Sequence, residues 1–279
     1  MKLKNFKFRN IFFCCFLLLV SMLSFGQNKK SDEIILTDDG VILDLKGTFK
    51  INWDKSDSDV PCSAIEYGEM LFYPDNKDIV NGKAIVLKPR DFDYHNWDDS
   101  RNAEKEFADM EKSKVEILKK IFPEEVKKME KIQKGELQSP VRVKIKKVTP
   151  YTECDFTTVY AQVIELKKIE GAKPKITKLK VKKLDESDDF DEPHLDEAGY
   201  LREYRVNSKD RYANMREKPT KDSKVISKLD NEIIVRYITK YGDWYYVYYA
   251  DYPSDYKNDP TVKEYRGFIH KSQLEKRVY

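Results

Sequence analysis

The feature that most restricts the fold of this chain is the strand-like alternation of its C-terminal part, residues 204–279. Residues 233–238 alternate with the period of two that the wall of a small β-barrel requires. Gly242 permits a tight turn into the next strand, which has two distinct faces. One face is predicted to fill a barrel and the other to expose aromatic rings. The first face carries Tyr245, Val247 and Tyr249, and the second carries Trp244, Tyr246 and Tyr248.

Several short motifs of this region follow one another in a fixed order. They are Tyr212-Ala213-Asn214-Met215-Arg216, Pro219-Thr220, Ser223-Lys224-Val225-Ile226, Gly242-Asp243-Trp244-Tyr245-Tyr246-Val247 and Gly267-Phe268-Ile269-His270. In order and spacing they resemble the bacterial SH3 (SH3b) family, from about Tyr204 to Leu274. The resemblance implies an all-β, SH3-like small barrel without catalytic activity, which binds peptidoglycan peptide or an envelope protein.

The ligand-binding residues are predicted from this resemblance and from the exposed aromatic rings. They are Tyr212, Arg216, Trp244, Tyr246, Tyr248, Tyr252 and Tyr256. Two departures from the family pattern bear on the prediction. Glu217-Lys218 stand where a glycine often precedes Pro219, and Ala250–Glu264 lengthens the last hairpin with tyrosines. Because aromatic residues are enriched at interfaces, the long hairpin is either a specificity element or an inert loop.

The N-terminus has the pattern of a secretory signal, residues 1–26. A basic start precedes the apolar run Ile11–Val20, and Ser24 and Gly26 are small residues before a cut at Gln27. Removing the four basic residues of this segment from 52 leaves 48 against 49 acidic residues. We therefore expect an exported protein, periplasmic or extracellular, with no membrane span after cleavage. Near-zero charge also argues against nucleic acid as a partner.

Residues 28–184 combine strand-like and helical patterns. Alternation over Glu33–Trp53 and over Val141–Ile145 predicts strands. Arg101–Lys134 predicts a helix that is interrupted at Pro123, because proline removes a backbone donor. We expect an α+β domain, a mainly antiparallel sheet with a helical insertion. No family resemblance indicates its role.

Two charged blocks follow one another towards the middle of the chain. Arg142–Lys183 contains twelve basic and four acidic residues, and Asp185–Glu197 contains eight acidic and no basic residues. The acidic block predicts a solvated linker over 185–203. The basic strands could pair with it, bind an anionic partner, or form an ordinary exposed strand face.

The exported chain retains Cys62 and Cys154. An oxidising compartment favours a disulfide between them, although buried thiols or a reactive cysteine are alternatives. The sequence contains no Gly-rich phosphate loop, H-E-x-x-H or G-x-S-x-G motif. Neither cysteine lies at a predicted helix start beside a histidine, so Cys-His catalysis has no support. No catalytic residue and no cofactor are predicted.

One acidic cluster supports an alternative function. Asp91, Asp93 and His95 occupy alternate positions and could converge on a cation. The pattern departs from a calcium loop, because Asn96 and Asn102 stand where glycine and glutamate are required. Asp98–Ser100 also suit a helix cap before Arg101. The sequence favours a non-catalytic envelope binding protein, and a metal-dependent hydrolase is the alternative.

Overall fold

The computed structural model describes residues 32–55, 66–89, 101–153, 156–180, 201–252 and 262–278. The span Asp32–Tyr279 forms one compact unit. Most of the described residues are in β-strands, which form two sheets, and two helices accompany the first sheet. No helix within these ranges combines the length and the apolar character needed to cross a membrane.

The first sheet comes from the N-terminal part of the chain. Its strands are β1 (Glu33–Thr37), β2 (Gly40–Asp54), β3 (Glu66–Tyr67), β4 (Leu71–Pro74), β5 (Ile85–Lys88), β6 (Lys134–Glu153), β7 (Phe156–Lys168) and β8 (Lys175–Lys178). Five of these strands pair in a ring, in the order β2-β4-β5-β7-β6 and back to β2. The pairing of β5 with β7 is parallel and the other four are antiparallel. The ring closes the sheet into a barrel, whereas the sequence predicted only a mainly antiparallel sheet.

The two helices lie between β5 and β6 along the chain. Helix α1 (Arg101–Ile121) and helix α2 (Pro123–Met129) are separated at Phe122, as the proline predicted. Phe122, Val126 and Met129 are buried in the hydrophobic cluster of the barrel. The strand order is that of the five-stranded Greek-key barrels called OB folds.

Closure of the barrel requires a close approach of β2 and β4. A Cβ atom on Gly47 would lie 2.2 Å from the carbonyl oxygen of Tyr73 and 2.7 Å from the ring of Phe72. β2 pairs with β1 before this glycine and with β4 from it onwards. Gly47 therefore allows one long strand to change its neighbour where the barrel bends.

The second sheet comes from the C-terminal part of the chain. Its strands are β9 (Glu203–Val206), β10 (Tyr212–Arg216), β11 (Val225–Asp230), β12 (Ile234–Tyr241), β13 (Trp244–Asp251), β14 (Lys263–His270) and β15 (Leu274–Lys276). They are arranged in the order β11-β10-β14-β13-β12-β9-β15 and curl into a half-barrel. Its own hydrophobic cluster includes Met215, Val235, Val247 and Ile269. This curled sheet agrees with the SH3-like all-β fold that the sequence predicted.

The predicted domain boundaries fall largely outside the described residues. Residues 181–200 contain most of the predicted linker and are not described. Leu201 is buried in the cluster of the first barrel, and β9 begins at Glu203. The division into 28–184, 185–203 and 204–279 therefore stays a prediction.

Candidate ligand-binding surface of the C-terminal barrel

The two faces of β13 pack against different hydrophobic clusters. Val247 is fully buried in the C-terminal cluster, with Tyr245 and Tyr249 packed beside it. This confirms that one face of the strand fills the barrel. Tyr246 and Tyr248 are only 4% and 1% exposed, and they belong to the cluster that contains the N-terminal barrel core.

The prediction that the second face of β13 is exposed is therefore wrong at Tyr246 and Tyr248. Ile238 of β12 and Phe268 of β14 are buried in the same cluster. The rings of Tyr246 and Phe268 lie 5.0 Å apart. Burial raises the pKa of Tyr246 to about 12, because ionisation would leave a charge without solvent. These rings join the two barrels and offer no surface to a ligand.

Two arginines of the C-terminal barrel bind backbone carbonyls of β6. Arg266 Nε donates to the oxygen of Val148 at 3.0 Å, and Arg236 Nη1 donates to that of Pro150 at 3.3 Å. The β6–β7 register is irregular between Lys146 and Thr149, so Val148 lies outside the regular ladder. An interruption of the ladder leaves the Val148 carbonyl available to the arginine of the other barrel.

Arg266 also organises a half-buried polar group at the edge of the contact. Arg266 forms an ion pair of 2.6 Å with Glu264, and its guanidinium lies 5.1 Å from the centre of the Tyr248 ring. The Tyr248 hydroxyl donates to Glu264 at 2.9 Å. Burial and the adjacent Glu264 carboxylate raise the pKa of Tyr248 well above its usual range. The tyrosine is therefore held in its neutral, hydrogen-bonded form.

A second polar contact joins the barrels at Asp78, in the turn between β4 and β5. Its carboxylate accepts hydrogen bonds from Arg202 at 2.7 Å and from the Tyr237 hydroxyl at 2.6 Å. Lys240 lies 3.8 Å away. Burial acts to raise the pKa of Asp78, but the two hydrogen bonds and the positive charges outweigh it and lower that pKa. In the same turn Val80 has a φ of 42°, a strained value for a β-branched residue.

The other predicted site residues do not converge on one place. Tyr212 is half-buried and stacks under the ammonium group of Lys228, 3.5 Å from the ring centre. Arg216 donates to the carbonyl of Ser223 at 2.6 Å and so braces the loop that contains Pro219. Tyr252 is 55% exposed and lies beyond the far end of β13 from Trp244, roughly 26 Å along an extended strand.

Trp244 remains accessible at the rim of the contact between the barrels. It is half-buried, and its register partners are Tyr241 on β12 and His270 on β14. The rings of Trp244 and His270 lie 5.3 Å apart at 78°, and Tyr241 is 48% exposed. Residues paired across neighbouring strands share a face. We call Tyr241, Trp244 and His270 the aromatic ledge.

Tyr241 and His270 are not among the ligand residues predicted from the sequence. The two-residue turn Gly242-Asp243 could have placed Tyr241 opposite Trp244. The position of His270 depends on the register of β13 with β14, whose connection includes the segment 253–261. Within the described chain an ion pair of 2.9 Å between Asp243 and Lys271 borders the ledge.

The remaining predicted site residues lie outside the described residues. They are Tyr256, Cys62, Cys154, Asp91, Asp93 and His95. The disulfide and the cation site therefore stay predictions. Among the residues whose placement is described, no group of three or more acidic, histidine or cysteine side chains could hold a metal ion.

Comparison with known protein families identifies a domain in the C-terminal part of the chain. Residues 211–275 match the family model of the bacterial SH3 domain, which confirms the resemblance seen in the sequence motifs. The N-terminal barrel lies outside this match. No curated protein and no solved structure matches the chain.

Proposed function

Because residues 211–275 match the bacterial SH3 domain, we propose that this chain is a non-catalytic binding protein of the bacterial cell envelope. The domain binds cell-wall peptide or an envelope protein. The protein is exported by the signal at 1–26 and acts in the periplasm or outside the cell, with Cys62 and Cys154 joined. The single observation that carries the proposal is the match to a domain class that commonly binds wall components.

The aromatic ledge supplies the contact surface in this proposal. Three rings in a row across neighbouring strands cover a width of roughly 10 Å, which suits a short extended ligand. Aromatic side chains give contact area at a small entropic cost, and Asp243 and Lys271 provide charges beside them. The amino groups of a bound peptide can pair with Asp243, and its carboxyl groups can pair with Lys271.

The position of the ledge also follows from what the N-terminal barrel covers. Tyr246 and Tyr248, on the same strand face as Trp244, are buried between the barrels. A ligand that follows this face therefore ends at Trp244. Tyr252 lies at the opposite end of β13 and belongs to a separate surface.

The proposal is tested by co-sedimentation of the exported chain with purified peptidoglycan sacculi. Saturable binding is expected, and the double variant Tyr241→Ala/Trp244→Ala should weaken it at least about 10-fold, the equivalent of 1.4 kcal/mol. Tyr252→Ala is the matched control, an exposed aromatic residue of the same domain. Circular dichroism checks that each variant is folded.

The outcomes separate the possible sites. If Tyr252→Ala loses binding and the Tyr241→Ala/Trp244→Ala variant does not, the ligand-binding site lies in the long hairpin. Failure of the wild-type chain to sediment with sacculi would exclude the cell wall as the ligand. A photo-reactive group at position 241 would then test for an envelope protein partner.

A further inference from the structure

The N-terminal barrel ends on one side in an unpaired strand edge. β8 is the last strand in the order of its sheet and pairs only with β6, from Gly135 opposite Lys178 to Gln138 opposite Lys175. Within the part of the chain that is described, its other edge faces no strand. Such an edge presents backbone N–H groups that can donate hydrogen bonds to a bound molecule.

Four exposed lysines follow this edge. They are Lys173, Lys175, Lys178 and Lys180. We call them the lysine edge. No acidic residue occurs between Gly171 and Lys180. None of the four lysines has an ion-pair partner among the described residues.

Several other cations of the same sheet form ion pairs. Lys134 pairs with Asp54 at 2.8 Å, and Lys144 pairs with Glu165 at 3.0 Å. Arg142 pairs with the buried Asp44 at 2.5 Å. An ordinary solvated strand face has this alternation of opposite charges. The lysine edge has no acidic side chains among its lysines, so no described residue neutralises its positive charge.

We propose that the lysine edge is a binding site for a linear polyanion with phosphate groups along its length. β8 covers Lys175–Lys178, and side chains three positions apart on a strand leave opposite faces, so Lys175 and Lys178 flank the strand edge from both sides. A narrow polymer that lies along the edge can contact both lysines, whereas the plane of a membrane surface laid on one face of the sheet contacts only one of them. Binding releases the counterions of the polymer, which makes the affinity strongly dependent on salt.

The chain itself contains one competing occupant. Asp185–Glu197 carries eight acidic residues and no basic ones, and it begins five residues after Lys180. Five extended residues reach at most about 18 Å, so chain connectivity alone gives the acidic run a high effective concentration at the edge. An external polyanion would compete with this run for the lysines. The experiment therefore also tests whether the acidic run, rather than an external polyanion, occupies the lysine edge.

The experiment measures binding of the full exported chain to fluorescent inorganic polyphosphate by anisotropy, over a series of salt concentrations. For four contacts the slope of log K against log salt is expected near −3, by analogy with single-stranded nucleic acid. Substituting Lys173, Lys175, Lys178 and Lys180 by Gln should flatten the slope and weaken low-salt binding at least about 10-fold. The four side chains are exposed, and circular dichroism verifies folding.

A matched variant separates the site from net charge. Lys209, Lys218, Lys221 and Lys224 are exposed lysines of the C-terminal barrel, and changing them to Gln removes the same four charges. This control should bind like the wild type. Equal losses in both variants would overturn the proposal, because net charge alone would then explain binding.

Two other results would also overturn the proposal. One is binding to vesicles of anionic lipid without binding to polyphosphate, which would make the edge a membrane contact. The other is polyphosphate binding only after Asp188, Asp189 and Asp191 are changed to Asn, which would make the acidic run its occupant. Sacculus binding through the aromatic ledge is independent of all these outcomes.

Discussion

Substitution of Tyr246 by Ala tests whether the N-terminal barrel covers the aromatic face of β13. The ring is 4% exposed and lies in the hydrophobic cluster shared by both barrels, 5.0 Å from the ring of Phe268. Its hydroxyl makes no hydrogen bond within the described structure, so packing is the main interaction lost. Tyr246→Phe is therefore the matched control.

The expected cost follows from the size of the buried ring. Burying a tyrosine removes roughly 150–250 Å² from water, which corresponds to about 4–6 kcal/mol at 25 cal/mol per Å². Measured aromatic-to-alanine substitutions in cores cost about 3–5 kcal/mol. We expect the free energy of unfolding to fall by about 4 kcal/mol, which lowers Tm by roughly 8–16 °C in a chain of this size. Tyr246→Phe should cost less than about 1 kcal/mol.

Scanning calorimetry is the appropriate assay, because it reports both Tm and cooperativity. Since the cluster is continuous between the barrels, the wild type and the Ala variant should each unfold in one transition. A Tm change of only 1–2 °C in Tyr246→Ala would refute the burial of the ring. Two separate transitions in the wild type would refute the continuous core.

Three further predictions concern individual contacts. The pKa of Asp78 is lowered in the folded protein. The contribution of its carboxylate to the free energy of unfolding is therefore present above the unfolded pKa of about 3.9 and is lost as the pH falls through the folded pKa. Urea unfolding should show Asp78→Asn less stable by about 1.5–3 kcal/mol at pH 7, with the gap closing in acid; a constant gap would contradict the charge pairing. Burial raises the pKa of Tyr246 to about 12, so the contribution of its neutral hydroxyl to stability is fully present below pH 10 and is lost as the pH rises through 12. Tyr246→Phe should therefore move the alkaline unfolding midpoint upwards. An unchanged midpoint by circular dichroism would argue against the burial of this hydroxyl. In Gly267→Ala the new Cβ would lie 2.6 Å from side-chain atoms of Ile226 and Met215, and the strain should cost about 1–3 kcal/mol; an unaltered thermal melt would show that β14 is less tightly packed.

The contact between the barrels changes what the C-terminal domain can do. An isolated domain would expose Tyr246, Tyr248 and Phe268, which are buried in the whole chain. A contiguous apolar patch of this kind favours association with other molecules. Binding studies on this protein therefore require both barrels in one chain.

The candidate site was partly predictable from the sequence. Trp244 was identified from its motif, and it is the predicted residue that remains accessible beside Tyr241 and His270. Arg216 was identified from the same motifs, but its guanidinium braces the loop of Ser223. Motifs report which residues a domain requires, and they do not separate residues that contact ligands from residues that hold loops.

Local chemistry allowed the sequence to determine several features without any tertiary information. The period of two predicted the strands of the C-terminal barrel, and Pro123 predicted the break after α1, because both depend on neighbouring residues alone. The closure of the N-terminal barrel was decided by pairings between distant strands, such as β5 with β7. The burial of Tyr246 and Tyr248 was decided in the same way. Alternation shows that a strand has two apolar faces, but which neighbour covers each face depends on residues about a hundred positions away in the chain.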